Sequence, residues 1–404
     1  MRGFAERTTV ENALAWLDSV LPPLDALATE EVDLGDAAGR VLARDVVSSV
    51  DVPSFARAMM DGFAVRGEDT SGASPYNRLP LKILGVCLPG KPFSGRVAAG
   101  EAVRIMTGAP LPAGADAVLP VELTELAGAD LLVLDQVSQG KHVGQRGEDL
   151  CAGDLAARAG RLLRPQDVGL LSSLGCCRIS VVRRPTVRIL ITGNEILPAG
   201  TPPEGARIAD ANGPMLAALT ARDGGELLSS EIVRDEPAAL LAALAQPADV
   251  ILVSGGSSVG QEDYVPTLLA ERGELAVHGV AMRPSSPTGL GRLQGGLVCL
   301  LPGNPVSCLC AYDFFAGRAI RVLGGRARDW PYRGIRARLT RKLVSTVGRL
   351  DYARVSVTGN EAEPLAISGA SILSSTTRAD GFVVVPPDSE GYPPGAEVEV
   401  FLYQ

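Results

Sequence analysis

Between residues 185 and 323 the apolar positions alternate between two periods. "TVRILIT" (186–192) is a short β-branched run with a buried strand's composition, and it ends in the turn "GNE". "ANGPMLAALTARDGG" then spaces its apolar residues as a helix does, with Asn212 as cap, Pro214 in the first turn and Gly224 at the stop. "ELLSSEIV" reads as a strand, and "RDEPAALLAALAQP" as a helix capped by Asp235 with Pro237 in its first turn. "DVILVSGG" is a strand, "EDYVPTLLAERG" a helix, "LAVHGVAMRP" a strand and "GLVCLLPGNP" a strand and loop, before a helix from about Val306 to Leu323. Alternation at this spacing predicts βαβ units, hence a doubly wound, mostly parallel α/β domain over residues 185–326.

The flanks have different rhythms. At the N-terminus, Thr8 and Glu11 fit a capping box ahead of an amphipathic helix. Residues 46–145 carry short alternating runs rich in Gly and Pro, which predicts a small β domain. A helical pattern returns near "LLRPQDVGLLSSLG". Pairing that helix with the N-terminal one makes residues 1–45 and 146–184 a split domain and residues 46–145 its insertion. After "GGRARDWPYRG", the runs "IRARLTRKLV", "DYARVSVTG", "GFVVVPP" and "AEVEVFLYQ" predict a β-barrel or sandwich over residues 327–404.

Composition narrows the function classes. The 404 residues suffice for two to four domains. A formal net charge of −8 argues against nucleic acid, which needs a basic face. No leader-like or bilayer-length apolar run is present, and the seven cysteines form no CxxC, so a cytoplasmic protein with reduced thiols is expected. Vicinal Cys176 and Cys177 are read as core thiols, with metal or redox binding as the alternative. With only His142 and His278, acid–base work falls to carboxylates, hydroxyls, Lys and Arg.

Four loops fall at the carboxyl ends of the predicted strands, where doubly wound sheets bind ligands. They are "TGNEI" with Glu195, "VSGGSSVGQEDYV" with Gly255, Gly256, Ser257, Ser258, Gly260 and Asp263, "MRPSSP" with Arg283 and Ser286, and "PGNPVS" with Pro302, Gly303, Asn304 and Ser307. The last leads into a helix, whose first N–H groups favour an oxyanion. Glu195, Asp235 and Asp263 put carboxylates on the same crest. Mg²⁺ reconciles the acids with an anion cradle, because one or two carboxylates and substrate phosphate oxygens together hold it. "GVCLPGKP" imitates a phosphate loop, but Pro92 stands where a Ser or Thr would hold the metal. No GxGxxG opens a βαβ unit, which disfavours a nicotinamide dehydrogenase.

Taken together, "MMDGFAV", "RIMTGAPLPAGADAV", "RGED", "ITGNEI", "DANGPML", "VSGGSSVGQEDYV", "MRPSSPT", "LPGNPVSCL" and "GRLDYARV" resemble the molybdopterin molybdotransferases, the bacterial MoeA type and the E domain of gephyrin. The resemblance implies a MogA-like central domain, a split N-terminal domain with an inserted β domain, and a C-terminal β-barrel. It implies Mg²⁺-dependent cleavage of adenylylated molybdopterin, with insertion of molybdate and release of AMP. A homodimer with its active site between subunits is implied too, as is a molybdopterin adenylyltransferase acting upstream. It carries over Asp61, Thr107 and Asp149 as site residues, and Arg354 and Ser371 as molybdate contacts, with Ala370 as the alternative to Ser371.

Two positions depart from the bacterial pattern. "RPSSP" replaces Lys-Pro-Gly-Lys-Pro, so Arg283 keeps the first charge and Ser286 loses the second. Asn194 stands where the family has Asp. A scaffold protein of the same fold with weakened catalysis is therefore one alternative reading. An adenylyltransferase is another, disfavoured by "MDG" and the C-terminal β segment.

Overall fold

The computed structural model describes residues 7–256, 264–366 and 369–403. The chain forms two compact units. One comprises Met1–Glu31, Gly39–Ala43 and Ser180–Gln404, the other Val32–Ala38 and Arg44–Ile179.

Helix α1 (Val10–Val20) is capped by Thr9, whose hydroxyl accepts the Asn12 N–H at 3.1 Å. Thr8, the expected cap, instead bridges to Val280 in extended conformation. The stripe Val10, Ala13 and Leu17 is buried against Val187, Leu252 and Cys299 of the central sheet. α1 therefore packs on the central domain, whereas α2 (Pro165–Ser173), expected to pair with it, belongs to the other unit.

In that other unit, strands 46–47 and 155–157 pair antiparallel and bring together the chain on either side of the insertion. The insertion is a six-stranded sheet of β1 (Gly62–Val65), β2 (Leu79–Cys87), β3 (Glu101–Ile105), β4 (Ala117–Pro120), β5 (Thr124–Ala127) and β6 (Asp130–Val133), in the order β4-β1-β3-β2-β6-β5. Phe63, Leu81, Leu119 and Leu131 fill its core.

The central domain contains β7 (Thr186–Thr192), β8 (Glu226–Val233), β9 (Val250–Ser254), β10 (Glu274–His278), β12 (Gly289–Leu293) and β13 (Gly296–Leu301), with β11 (Met282–Arg283) passing to the barrel. The order is β8-β7-β9-β13-β12-β10, in which β8, β7, β9 and β13 run parallel, β12 pairs antiparallel with β13, and β10 pairs antiparallel with β12. Strands β9 and β13 are buried at every position, as an interior parallel strand covered on both faces must be. Helices α3 (Asn212–Arg222), α4 (Pro237–Leu244) and α5 (Tyr264–Arg272) complete the crossovers. A further helical stretch runs from α6 (Pro305–Ala311) through a π-turn (312–316) to α7 (Gly317–Leu323).

The run "LAVHGVAMRP" is two strands rather than one. Gly279, at φ 91°, breaks the extended chain between β10 and β11. Strand β12 is hidden in the sequence by its glycines. A side chain at Gly291 would lie 2.1 Å from the Glu274 carbonyl, so close strand contact requires glycine there.

The last domain comprises β14 (Arg333–Leu339), β15 (Leu350–Thr358), β16 (Glu361–Ala366), β17 (Gly381–Val385) and β18 (Glu397–Leu402). Their order β15-β16-β14-β18-β17, with β17 pairing back to β15, closes a five-stranded barrel, and β11 joins it alongside β15. Aromatic rings join barrel and helix: Phe314 meets Trp330 edge-on at 4.9 Å, and Tyr352 stacks on Phe382 at 4.1 Å.

Candidate active site at the crest of the central sheet

The loops after β7, β9 and β13 meet in a groove of about 700 Å³. Gly255 lets two of them touch. Its φ is +99°, and a Cβ there would lie 2.5 Å from the Thr192 carbonyl. The groove is lined by Glu195, Asp210 and Asp235 as acids, by Thr192, Asn212 and Ser254 as neutral polar groups, and by the backbone of Gly255, Gly256 and Pro302–Pro305.

Asp235 is not the cap of α4. Its Oδ2 accepts the Asn194 N–H at 3.2 Å, while its own N–H reaches Asn194 Oδ1 at 3.4 Å. This clip ties the loop carrying Glu195 to the loop carrying Asp235. Asn194, being neutral, avoids setting one carboxylate against another.

Asn212 is not a cap either. Asp210 Oδ1 accepts the N–H groups of Asn212 and Gly213, both at 2.9 Å, and so caps α3. The Asn212 amide is thereby free to donate to Ser254 Oγ at 2.8 Å and to the Gly303 carbonyl at 2.7 Å. Asn212 Oδ1 and Thr192 Oγ1 are shielded from solvent yet have no hydrogen-bond partner among the described residues. Buried polar atoms left this way are costly unless something else satisfies them. Thr192, Asp210, Asn212 and Ser254 line this candidate site and were missed by the sequence reading. The available signal was "DAN", two cap-forming residues where a helix start needs one.

The other predicted residues divide by location. Pro302, Gly303, Asn304 and Ser371 line the groove, and the Ser371 hydroxyl donates to Asn304 Oδ1 at 2.9 Å. The neighbouring Ala370 supplies only its carbonyl, which takes the Val306 N–H at 2.9 Å. Ser307 is buried, and its carbonyl accepts the Ser285 hydroxyl at 2.5 Å. The Ser286 hydroxyl is shielded from solvent without a partner among the described residues. Arg283 pairs with Asp351. Arg354 is fully buried beside Tyr352, Tyr403 and Cys310, and burial lowers its pKa. Ser257, Ser258, Gly260 and Asp263 lie outside the described residues.

Asp61, Thr107 and Asp149 belong to the other unit. Asp61 Oδ1 accepts both the Thr107 hydroxyl at 2.6 Å and its N–H at 2.7 Å, and these bonds hold the Asp61 pKa below the usual carboxylate value. Asp149 donates its N–H to the Val52 carbonyl at 3.0 Å.

A larger cavity, about 1020 Å³, lies between α1 and the barrel and is lined by Leu14, Phe314, Trp330 and Phe401. Its walls are largely aromatic and aliphatic, and its acid Asp18 is already paired with Arg318 and Arg328, so the chemistry favours the crest groove. Among the described residues no cluster of three or more His, Cys, Asp or Glu could by itself enclose a metal. Glu195 and Asp235 do supply the hard oxygen donors that suit Mg²⁺ shared with a phosphate ligand. Cys308, near Ser254, is pushed up to about 12 by burial and remains a thiol.

Residues 8–175 match the MoeA N-terminal region (domain I and II), residues 188–321 a probable molybdopterin binding domain, and residues 336–403 the MoeA C-terminal region (domain IV). The chain belongs to the molybdopterin molybdenumtransferase family, MoeA. A MoeA-family relative, molybdopterin molybdenumtransferase 2 of Mycobacterium tuberculosis, is 34% identical over 92% of this chain and 94% of its own length. A molybdopterin molybdenumtransferase of Staphylococcus aureus is 29% identical over 92% of this chain and 90% of its own. Two solved MoeA proteins from Pyrococcus horikoshii match with TM-scores of 0.85 and 0.81 at 34% and 30% identity, covering 99% and 98% of this chain and 100% of each of theirs. This MoeA-family chain is a transferase of molybdenum-containing groups in molybdenum cofactor biosynthesis. No helix among the described residues is long and apolar enough to cross a membrane.

Proposed function

We propose that this chain inserts molybdate into adenylylated molybdopterin, hydrolysing the phosphoanhydride with Mg²⁺ and releasing AMP. The observation that carries the reading is the groove itself. It sets exposed backbone and two unsatisfied buried acceptors, Thr192 Oγ1 and Asn212 Oδ1, beside the carboxylates of Glu195 and Asp235. A ligand with hydrogen-bond donors and phosphates answers both features. Phosphoanhydride cleavage depends on positioning and charge stabilisation more than on a strong nucleophile.

In this reading Asn212 and Thr192 orient the pterin part, and the Gly255–Gly256 and Pro302–Asn304 backbone follows the phosphates. Glu195 and Asp235 would hold Mg²⁺, with Asp263 as the third carboxylate carried by the loop pattern. Bound there, the metal would neutralise charge developing on the phosphate oxygens. Arg283, Ser286, Ser307, Arg354 and Ser371 are the molybdate-side residues. Asp61, Thr107 and Asp149 of a second copy would serve the groove in a cytoplasmic homodimer supplied by an adenylyltransferase.

The test supplies purified protein with adenylylated molybdopterin, molybdate and Mg²⁺ and measures AMP. Molybdate-dependent AMP release is expected. Folded protein that binds the substrate yet releases no AMP would overturn the proposal.

A further inference from the structure

Arg283 is the cation nearest the start of the "RPSSP" loop, and the structure shows what holds it. It ends β11, where the register places it opposite Asp351 of β15. Its Nε donates to Asp351 Oδ1 at 3.1 Å and its Nη2 donates to Oδ2. Asp351 is fully buried, and the Ser345 hydroxyl donates to its Oδ2 at 2.7 Å. Arg349 Nε stands 3.5 Å from Oδ1. A barrel carboxylate, itself held in place, thus grips one edge of the arginine.

The other edge is what matters for a ligand. A guanidinium carries five N–H donors in a rigid planar fork, and a carboxylate on the Nε/Nη2 edge leaves the Nη1/Nη2 edge unused. Among the described residues Asp351 is Arg283's one hydrogen-bonding partner, and the Arg283 side chain is 30% exposed. The loop that follows runs back to the groove. The Ser285 hydroxyl bonds the Ser307 carbonyl of α6, and Pro287 lines the groove wall.

We propose that Asp351 is a positioning residue, which fixes Arg283 so that its free Nη1/Nη2 edge is presented as a fork for the tetrahedral oxyanion substrate. The inference rests on the proposed function for the identity of that oxyanion. It gives the barrel a second part at that subsite, holding Arg283 in place, beyond the contacts proposed for Arg354 and Ser371. A mere latch between β11 and β15 would need the pairing but would not need the second edge left open.

The test measures AMP release against molybdate concentration for the wild type, Arg283→Ala, Asp351→Asn, Asp351→Glu and Ser345→Ala, with a urea-unfolding midpoint for each. Asp351→Asn should raise the molybdate KM about 10-fold, the loss typical when the partner of a liganding group is removed, with kcat changed less than about 2-fold. Asp351→Glu should recover part of the loss, Ser345→Ala should show a smaller rise, and the double variant Arg283→Ala with Asp351→Asn, measured alongside, should match Arg283→Ala alone. An unchanged molybdate KM in Asp351→Asn, where Arg283→Ala raises it, overturns the inference. So does a fall in kcat with KM unmoved, or a KM that follows the unfolding midpoint in the Asn and Glu variants alike. If the wild type releases no AMP, the functional reading fails by itself. Calorimetric titration of the same variants with tungstate then decides: weaker binding by Asp351→Asn supports the positioning role, and equal binding overturns it.

Discussion

The helical stretch Pro305–Leu323 joins two buried polar constellations of opposite character. At its beginning lies the crest groove, where Thr192 Oγ1 and Asn212 Oδ1 are withdrawn from water without protein partners. Further along lies a network in which the chain pairs its own charges. Asp223 takes Arg222 at 2.9 Å and Arg321 at 3.1 Å, and Asp313 takes Arg222 at 3.3 Å and the Tyr332 hydroxyl at 2.8 Å. The network joins α3, the π-turn and α7 to Tyr332 at the entry to the barrel. The network pairs its charges within the chain, although Arg321 Nε and Nη1 and the Tyr312 hydroxyl make no hydrogen bond there, whereas the two groove atoms are neutral and have neither a charge nor a hydrogen-bond partner among the described residues.

Breaking the network should give the largest effect. Asp223 is fully buried, so Asp223→Ala leaves Arg222 and Arg321 short of a counter-charge and should cost about 3–5 kcal/mol of stability. Urea unfolding of the variant measures this. A loss below about 1 kcal/mol would remove the distinction between the two constellations. Asp235→Asn should act in the opposite manner. AMP release should fall by about 10²-fold or more, while stability falls by less than about 1 kcal/mol, because the Asn side-chain oxygen can still accept the Asn194 N–H. Equal losses of turnover and stability would make Asp235 part of the architecture.

The smallest effect is a pH dependence. Burial pushes the Asp313 carboxyl up to about 6, against attraction from Arg222 and the Tyr332 hydrogen bond. Because the folded value lies above the unfolded one, this group's contribution to stability is complete below about 4. It is lost as pH rises through about 6. Across that window the unfolding midpoint of the wild type should fall relative to that of Asp313→Asn, which has no titrating group at this position. Parallel curves would mean that Asp313 does not titrate there.

Much of this was legible along the chain. β7 and β8 have the bounds of "TVRILIT" and "ELLSSEIV": the interior strand β7 is a short apolar run, and the edge strand β8 is set off by the turn residues on either side. The local pattern of the last domain left barrel and sandwich both open, since β15 pairing with both β16 and β17 is a long-range event with no local signature, and only the family resemblance implied the barrel. β12 was missed because glycines chosen for close strand contact look like a loop. In the site, the loops were read from glycines and acids, but two roles were exchanged. Asn212 and Asp235 stand where helix caps stand, and a cap is the commoner use of such residues. Only the structure shows Asp210 doing the capping and Asn212 turned to Ser254 and Gly303.

The central claim is that the groove's unsatisfied acceptors are met by the substrate. A crystal structure with adenylylated molybdopterin bound tests it most directly. The account predicts the pterin hydrogen-bonded to Thr192 Oγ1 and Asn212 Oδ1, with its phosphates against the Gly255–Gly256 and Gly303–Asn304 backbone. A substrate seated elsewhere, with both acceptors still unmatched, would contradict it.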